Sequence, residues 1–173
     1  AEYRPAFSYE SGVVSARLAH GERALLRDIR FSLPAGAQMA LIGETGSGKT
    51  MLALSIFGLL PENVRMQGGS VRLDGQALCG AKALARLRGT KLVYIPQSGS
   101  EALNPTRTVG RQLCDSLRRL GVKGAQLRTL AMEKLCLAGF DAPETLLDKY
   151  PLQLSGGMAQ RVTIALAACS EAR

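Results

Sequence analysis

One stretch, Gly43-Glu44-Thr45-Gly46-Ser47-Gly48-Lys49-Thr50, constrains this chain more than any other. It fits G-x-x-x-x-G-K-[ST], a phosphate-binding loop, and the pattern needs a strand before it and a helix after it. Both are expected here. Ala37-Gln38-Met39-Ala40-Leu41-Ile42 is short and mostly apolar, and the spacing predicts a strand. Met51-Leu52-Ala53-Leu54-Ser55-Ile56-Phe57 predicts the first turns of a buried helix running from 49 to 60 and stopped by Pro61. The glycines let the backbone turn sharply and approach a phosphate closely. The amides at the helix start, Met51 included, then favour an anion. Lys49 is placed to reach β- and γ-phosphates, and the Thr50 hydroxyl to hold Mg²⁺. The competing reading is a glycine-rich turn with a chance lysine.

Around the loop the pattern is α/β. Residues 1–12 read as a loosely held lead-in, Val13 to Ala19 as a strand, His20-Gly21-Glu22 as a turn and Leu25 to Leu33 as a second strand. Pro61 to Gly69 reads as loop, and Ser70 to Gly75 as an edge strand closed by an Asp-Gly turn. A short helix is predicted over Ala81 to Leu87, and an apolar strand over Lys91 to Ile95, stopped by Pro96 and followed directly by Gln97. Residues 98–105 read as loop. From Thr108 the period changes. Val109, Leu113, Leu117 and Leu120 follow helical spacing up to Gly121, and Leu127 to Ala138 form a second amphipathic run closed by Gly139. A small helical lobe is therefore expected over 108–150. Leu154-Ser155-Gly156-Gly157 then opens an apolar helix. Its hydroxyl and two glycines make either another anion-binding helix start or an ordinary cap.

The composition, 46% apolar and 21% charged in 173 residues, is that of a globular chain. No apolar run approaches the ~18–20 residues of a membrane span, and no secretory leader pattern is present, so an intracellular protein is expected. Basic residues outnumber acidic ones 22 to 14, a net charge of +8. They are scattered without interleaved aromatics, which favours a solvated face over a nucleic-acid stripe. The cysteines at 79, 114, 136 and 169 form no C-x-x-C pair, and reduced, mostly buried thiols are expected.

Two phosphate-binding helix starts, an intervening glutamine and a helical insert together resemble the ATP-binding subunit of an ABC transporter. Gly43–Thr50 looks like its Walker A loop, Gln97 like its Q-loop glutamine, and Leu154-Ser155-Gly156-Gly157 like its signature motif. Met158 stands where glutamine is commonest in the family. Gly58-Leu59-Leu60-Pro61, Leu103-Asn104-Pro105 and Tyr150-Pro151 leading into Ser155–Arg161 are similar to peptide and nickel importer ATPases, with a lean to the nickel-type branch. The resemblance implies a P-loop NTPase of the ABC ATPase type: a mixed sheet with antiparallel N-terminal strands plus an inserted helical lobe. It places the ATP-binding core at 1–97, the helical lobe at 98–155 and the signature helix at 156–173. Where the family carries an adenine-stacking aromatic, this chain has His20 in the matching turn. The imidazole either stacks on the base or is a surface turn residue, and Tyr9 is a less well placed substitute.

What the resemblance implies about mechanism is a head-to-tail pair of such domains, homo- or heterodimeric, around two ATP molecules. Gly43–Met51 of one domain, with Lys49 on the phosphates and Thr50 and Gln97 at Mg²⁺, faces Ser155, Gly156 and Gly157 of the other. Transmembrane permease subunits, and indirectly a substrate-binding protein, are the implied partners, with nucleic acid not among them. The implied location is the cytoplasmic face of the bacterial inner membrane. The next strand of the family, with its Mg²⁺-binding Asp and catalytic Glu, would follow the signature helix, and no apolar strand ending in Asp-Glu occurs here. The chain, starting at Ala1, therefore reads as an N-terminal portion of a longer subunit, lacking the C-terminal part of the core and inactive in hydrolysis alone. A non-transport ABC ATPase is the main rival, with +8 in its favour and the short lobe against it. An unrelated P-loop kinase or GTPase, and a catalytically dead binding module, are the others.

Overall fold

The computed structural model describes residues 6–78 and 80–172. They form two compact units that divide between Leu87 and Arg88, rather than after Gln97. The signature helix belongs to the same unit as the lobe.

The first unit is built on an antiparallel sheet. Strand β1 (Phe7–Leu18) and β2 (Gly21–Leu33) form a hairpin with His20 in its two-residue turn. On its other side β1 pairs with β3 (Val64–Gln67) along 13–16 and with β4 (Ser70–Leu73) along 7–10, so β3 and β4 lie end to end. The Asp74-Gly75 turn, with φ of 49° and 78°, returns β4 into β5 (Gln76–Ala77). Thus β4 is flanked on both sides and is not an edge strand. The lead-in expectation also fails from Phe7 onward. Tyr9 is only 1% exposed, packs on Phe31 at 5.5 Å between ring centroids, and anchors the core with Val14 and Val71. Residues 1–5 lie outside the described residues. The 61–69 loop gives way to β3 because Val64 and Met66 alternate inward beside β1.

Helix α1 (Lys49–Phe57) ends earlier than expected, at Gly58, whose φ of 62° stops the helix three residues before Pro61. Leu52 and Ser55 are its buried residues. Helix α2 (Gly80–Leu87) follows, its Leu84 packed against Gly58.

The second unit is helical. Helices α3 (Gly99–Ala102), α4 (Val109–Arg119), α5 (Gln126–Leu137) and α6 (Gly156–Ala167) enclose one core that includes Val109, Leu113, Leu135, Val162 and Cys169. The α3 turn replaces part of the expected 98–105 loop. The predicted strand 91–95 does not form. Only a single parallel bridge, Arg88 to Leu92, is present there. The predicted strand 37–42 is likewise absent, with no ladder partner among the described residues. A β-strand exists only against a neighbour, and among the described residues no ladder reaches 37–42 or extends beyond the Arg88–Leu92 bridge. No helix of the described residues is long and apolar enough to cross a membrane.

Candidate functional site

The loop of residues 43–48 delivers its lysine onto its own backbone. Gly46 and Gly48 take φ of 85° and 95°, a region that costs other L-residues roughly 1–2 kcal/mol. A Cβ on Gly48 would also stand 2.6 Å from Leu26 Cδ2, so the β2 side chain seats the loop where it turns into α1. A Cβ on Gly43 would meet Ser47 Oγ at 2.7 Å. Within this arc Lys49 Nζ donates to Gly43 O and Glu44 O, both at 2.6 Å, and approaches Ser47 Oγ at 3.4 Å. The ammonium is thereby held over the loop rather than extended into solvent.

Helix α1 starts without a side-chain cap and with no acidic residue in its first turn. Its first backbone bond runs from Leu52 N–H to Gly48 O at 2.9 Å, leaving the amides of Lys49, Thr50 and Met51 ahead of it. Those donors, the positive end of the helix dipole and the lysine converge on one open cradle. Thr45 and Gly46 are exposed, and a Cβ on Gly46 would meet nothing within 4 Å. The donor set fits a phosphate chain. The Thr50 hydroxyl is exposed beside the cradle and would offer one oxygen to a Mg²⁺ ion. No group of three or more His, Cys, Asp or Glu among the described residues is arranged to hold a metal ion, so phosphate oxygens and water would complete such a site.

Two residues that position this helix escaped the sequence reading. Tyr9 Oη and Ser55 Oγ share a buried hydrogen bond of 2.6 Å, and Ser55 Oγ also reaches Leu52 O at 2.7 Å. The bond pins α1 to β1. A hydroxyl interrupting the apolar run 51–57 was the available signal. With its ring buried and packed on Phe31, Tyr9 is no candidate for stacking on adenine. His20 stays exposed at the hairpin tip, and no hydrogen bond or ion pair of the described residues ties it to the loop.

The second helix start is made differently. Ser155 caps α6 by accepting from Met158 N–H at 3.3 Å. Gly156 and Gly157 are exposed, and a Cβ on either would meet nothing within 4 Å. The approach to Ser155 is set by the lobe. Val109 N–H and Gly110 N–H at the start of α4 bond Lys149 O at 2.9 Å and Leu147 O at 2.8 Å. The chain then makes a 3₁₀ turn, Pro151–Gln153, where the Gln153 side chain accepts from Tyr150 N–H at 2.8 Å. Arg161 locks the helix onto the end of α5 by donating to Gly139 O at 2.8 Å while lying 4.3 Å over the Phe140 ring. Gln97 lies in this same unit, exposed, two residues ahead of α3.

A family model described as "ABC transporter" matches residues 26–173, from the strand beneath the loop through the capped helix. The chain belongs to the ABC transporter family. Curated relatives within it include the oligopeptide transport ATP-binding protein OppD of Mycobacterium tuberculosis, 38% identical over 84% of this chain and 24% of its own length. The dipeptide transport ATP-binding protein DppD of Bacillus subtilis is 38% identical over 84% of this chain and 45% of its own. A metal-staphylopine import ATP-binding protein, CntD of Staphylococcus aureus, is 33% identical over 84% and 55%. The chain thus spans from about a quarter to about half of these relatives. Among solved structures, the dimeric ATP-binding cassette MJ0796 bound to ADP and Pi superposes with a TM-score of 0.78 at 24% identity, over 94% of this chain and 69% of that one. CbiO1 of Clostridium perfringens, part of the ABC transporter complex CbiONQ, gives 0.69 at 19% over 96% and 62%. The fold is that of an ABC cassette.

Proposed function

We propose that this chain supplies the nucleotide-engaging part of the ATP-binding subunit of an ABC importer. Gly43–Met51 bind the phosphates of ATP, with Lys49 as the principal charge and Thr50 as the magnesium-side hydroxyl. Ser155, Gly156 and Gly157 present a neutral helix start to the nucleotide of a second ATP-binding subunit, and Gln97 reports on the metal or the attacking water. His20 stands as the adenine-side residue. In the whole protein this arrangement hydrolyses ATP, and the catalysis is mainly positioning and charge stabilisation. The chain's own residues hold and orient the triphosphate in the open cradle.

The observation that carries this reading is the pairing of one cationic, uncapped helix start at Lys49 with one capped, charge-free start at Ser155. The second cannot hold a triphosphate by itself, but can close on one held elsewhere. The relatives' roles in peptide and metal-complex transport support uptake of di- or oligopeptides, or of nickel, as the coupled task. Permease subunits at the cytoplasmic face of the inner membrane, fed by a substrate-binding protein, complete the assembly. The test is turnover by the full-length subunit in that assembly. Lys49→Ala is expected to lose both ATP binding and hydrolysis, while Ser155→Arg keeps binding and loses hydrolysis. Normal turnover by Ser155→Arg would remove the composite site from the account.

A further inference from the structure

The segment that carries Gln97 is fastened along the helix that carries Ser155. Gln160 Nε2 donates to Pro96 O, the carbonyl immediately before Gln97, at 3.3 Å. One turn further along α6, Thr163 Oγ1 lies 3.2 Å from Gly99 O and 3.0 Å from Ala159 O, its one proton shared between them. Thr163 is 4% exposed and Gly99 is buried, so this contact is sealed from water. Gly99 permits it, since a Cβ there would stand 2.5 Å from Ala159 C and Gln160 Cα, both backbone atoms that cannot swing aside. Beyond the end of α6, Glu171 N–H donates to Thr90 O at 2.9 Å. Residues 96–99 therefore run in the same direction as 160–163 between two inner clasps, and a third clasp joins Thr90 to Glu171. Gln97, between the two inner clasps, is exposed.

We propose that Gln160, Thr163 and Gly99 are positioning residues that make the Gln97 segment and the Ser155 helix start one rigid body. A displacement of Gln97 is then delivered to Ser155, and the reverse. Separating the two would break the Thr163–Gly99 contact in a place sealed from water, whereas moving them together costs no contact. Close packing of Gly99 on the helix backbone transmits the shift rather than absorbing it. The role of the clamp in turnover rests on the reading of Gln97 and Ser155 given above. Its mechanical content does not.

Thr163→Val keeps the shape and removes the hydroxyl, and Thr163→Ser restores the hydroxyl. In the assembled full-length ATPase, Thr163→Val is expected to lower kcat about three- to tenfold with KM for ATP unchanged. Thr163→Ser should recover most of the rate. In a Gln97→Ala background Thr163→Val should have little further effect, because the clamp acts through Gln97. Fully additive losses, or wild-type kcat for Thr163→Val, would overturn the proposal. Hydrogen exchange on the nucleotide-free protein provides the second arm. Gly99→Ala should raise exchange at 97–102 and at 156–160 together, leaving 109–119 unchanged. Faster exchange confined to 97–102 would overturn the single rigid body even if no ATPase activity were ever detected.

Discussion

Helices α1 and α6 both begin with glycines beside a hydroxyl, yet they are made in opposite ways. At α1 the glycines are strained: Gly48 sits at a φ of 95° against Leu26, and no side chain caps the helix. Its amides remain free, and a lysine is tethered among them. At α6 Gly156 and Gly157 are helical and open, and Ser155 already satisfies Met158 N–H. Glycine thus serves two purposes in one chain. In the first place only glycine can adopt the turn, whereas in the second a side chain would fit the protein and obstruct only something arriving from outside. That contrast locates affinity in the first start and closure in the second.

The largest effect expected from this contrast is on nucleotide affinity. Lys49→Ala should weaken ATP binding by about ten- to a hundredfold, read by equilibrium titration, because a charge-assisted contact to phosphate is lost. Stability separates the glycines next. Gly48→Ala should cost about 1–3 kcal/mol in chemical denaturation, through left-handed strain and the Leu26 contact. Gly46→Ala, with the same strain but open space, should cost less. Gly156→Ala should instead stabilise the chain by about 0.5–1 kcal/mol, and a loss there would show that the second start is also constrained from within. Ser155→Ala should cost about 1 kcal/mol as a lost cap, with ATP affinity of the 173-residue chain unchanged.

The smallest effect concerns pH. Burial raises the Cys169 thiol from 9.0 to about 11; Lys134 draws it down and Cys114 pushes it up by lesser amounts. The folded chain keeps a proton there that the unfolded chain gives up. Stability is therefore intact below pH 9 and declines as pH rises from 9 to about 11. Cys169→Ala should flatten that decline. In the same vein exposed Cys136 should alkylate well before buried Cys169.

What could be read from the sequence was what is decided locally. The phosphate loop follows from glycine φ values, and α4 and α5 follow from helical spacing, with Thr108 capping α4 through Arg111 N–H. What could not be read was whatever depends on a distant partner. Residues 37–42 and 91–95 have strand composition, but Met39, Leu41 and Ile42 are 47%, 48% and 91% exposed and in no ladder among the described residues. Conversely, Ser8, Ser11 and Gly12 make Phe7–Gly12 read as a lead-in, yet β2 and β4 pair with both its edges. At the site, Lys49 and Ser155 were legible through motifs. Tyr9–Ser55 and Gln160–Pro96 were not, since each joins residues far apart in sequence. The cysteine at 79 lies outside the described residues, so its expected burial stays a sequence-based expectation.

The most direct measurement is a residue-resolved map of backbone amide shifts on adding Mg-ATP to this chain alone. Perturbations concentrated at 44–51, with 155–158 unmoved and the whole response abolished by Lys49→Ala, are the predicted result. A response centred on 155–158, or one that survives Lys49→Ala intact, would contradict the division of labour between the two helix starts.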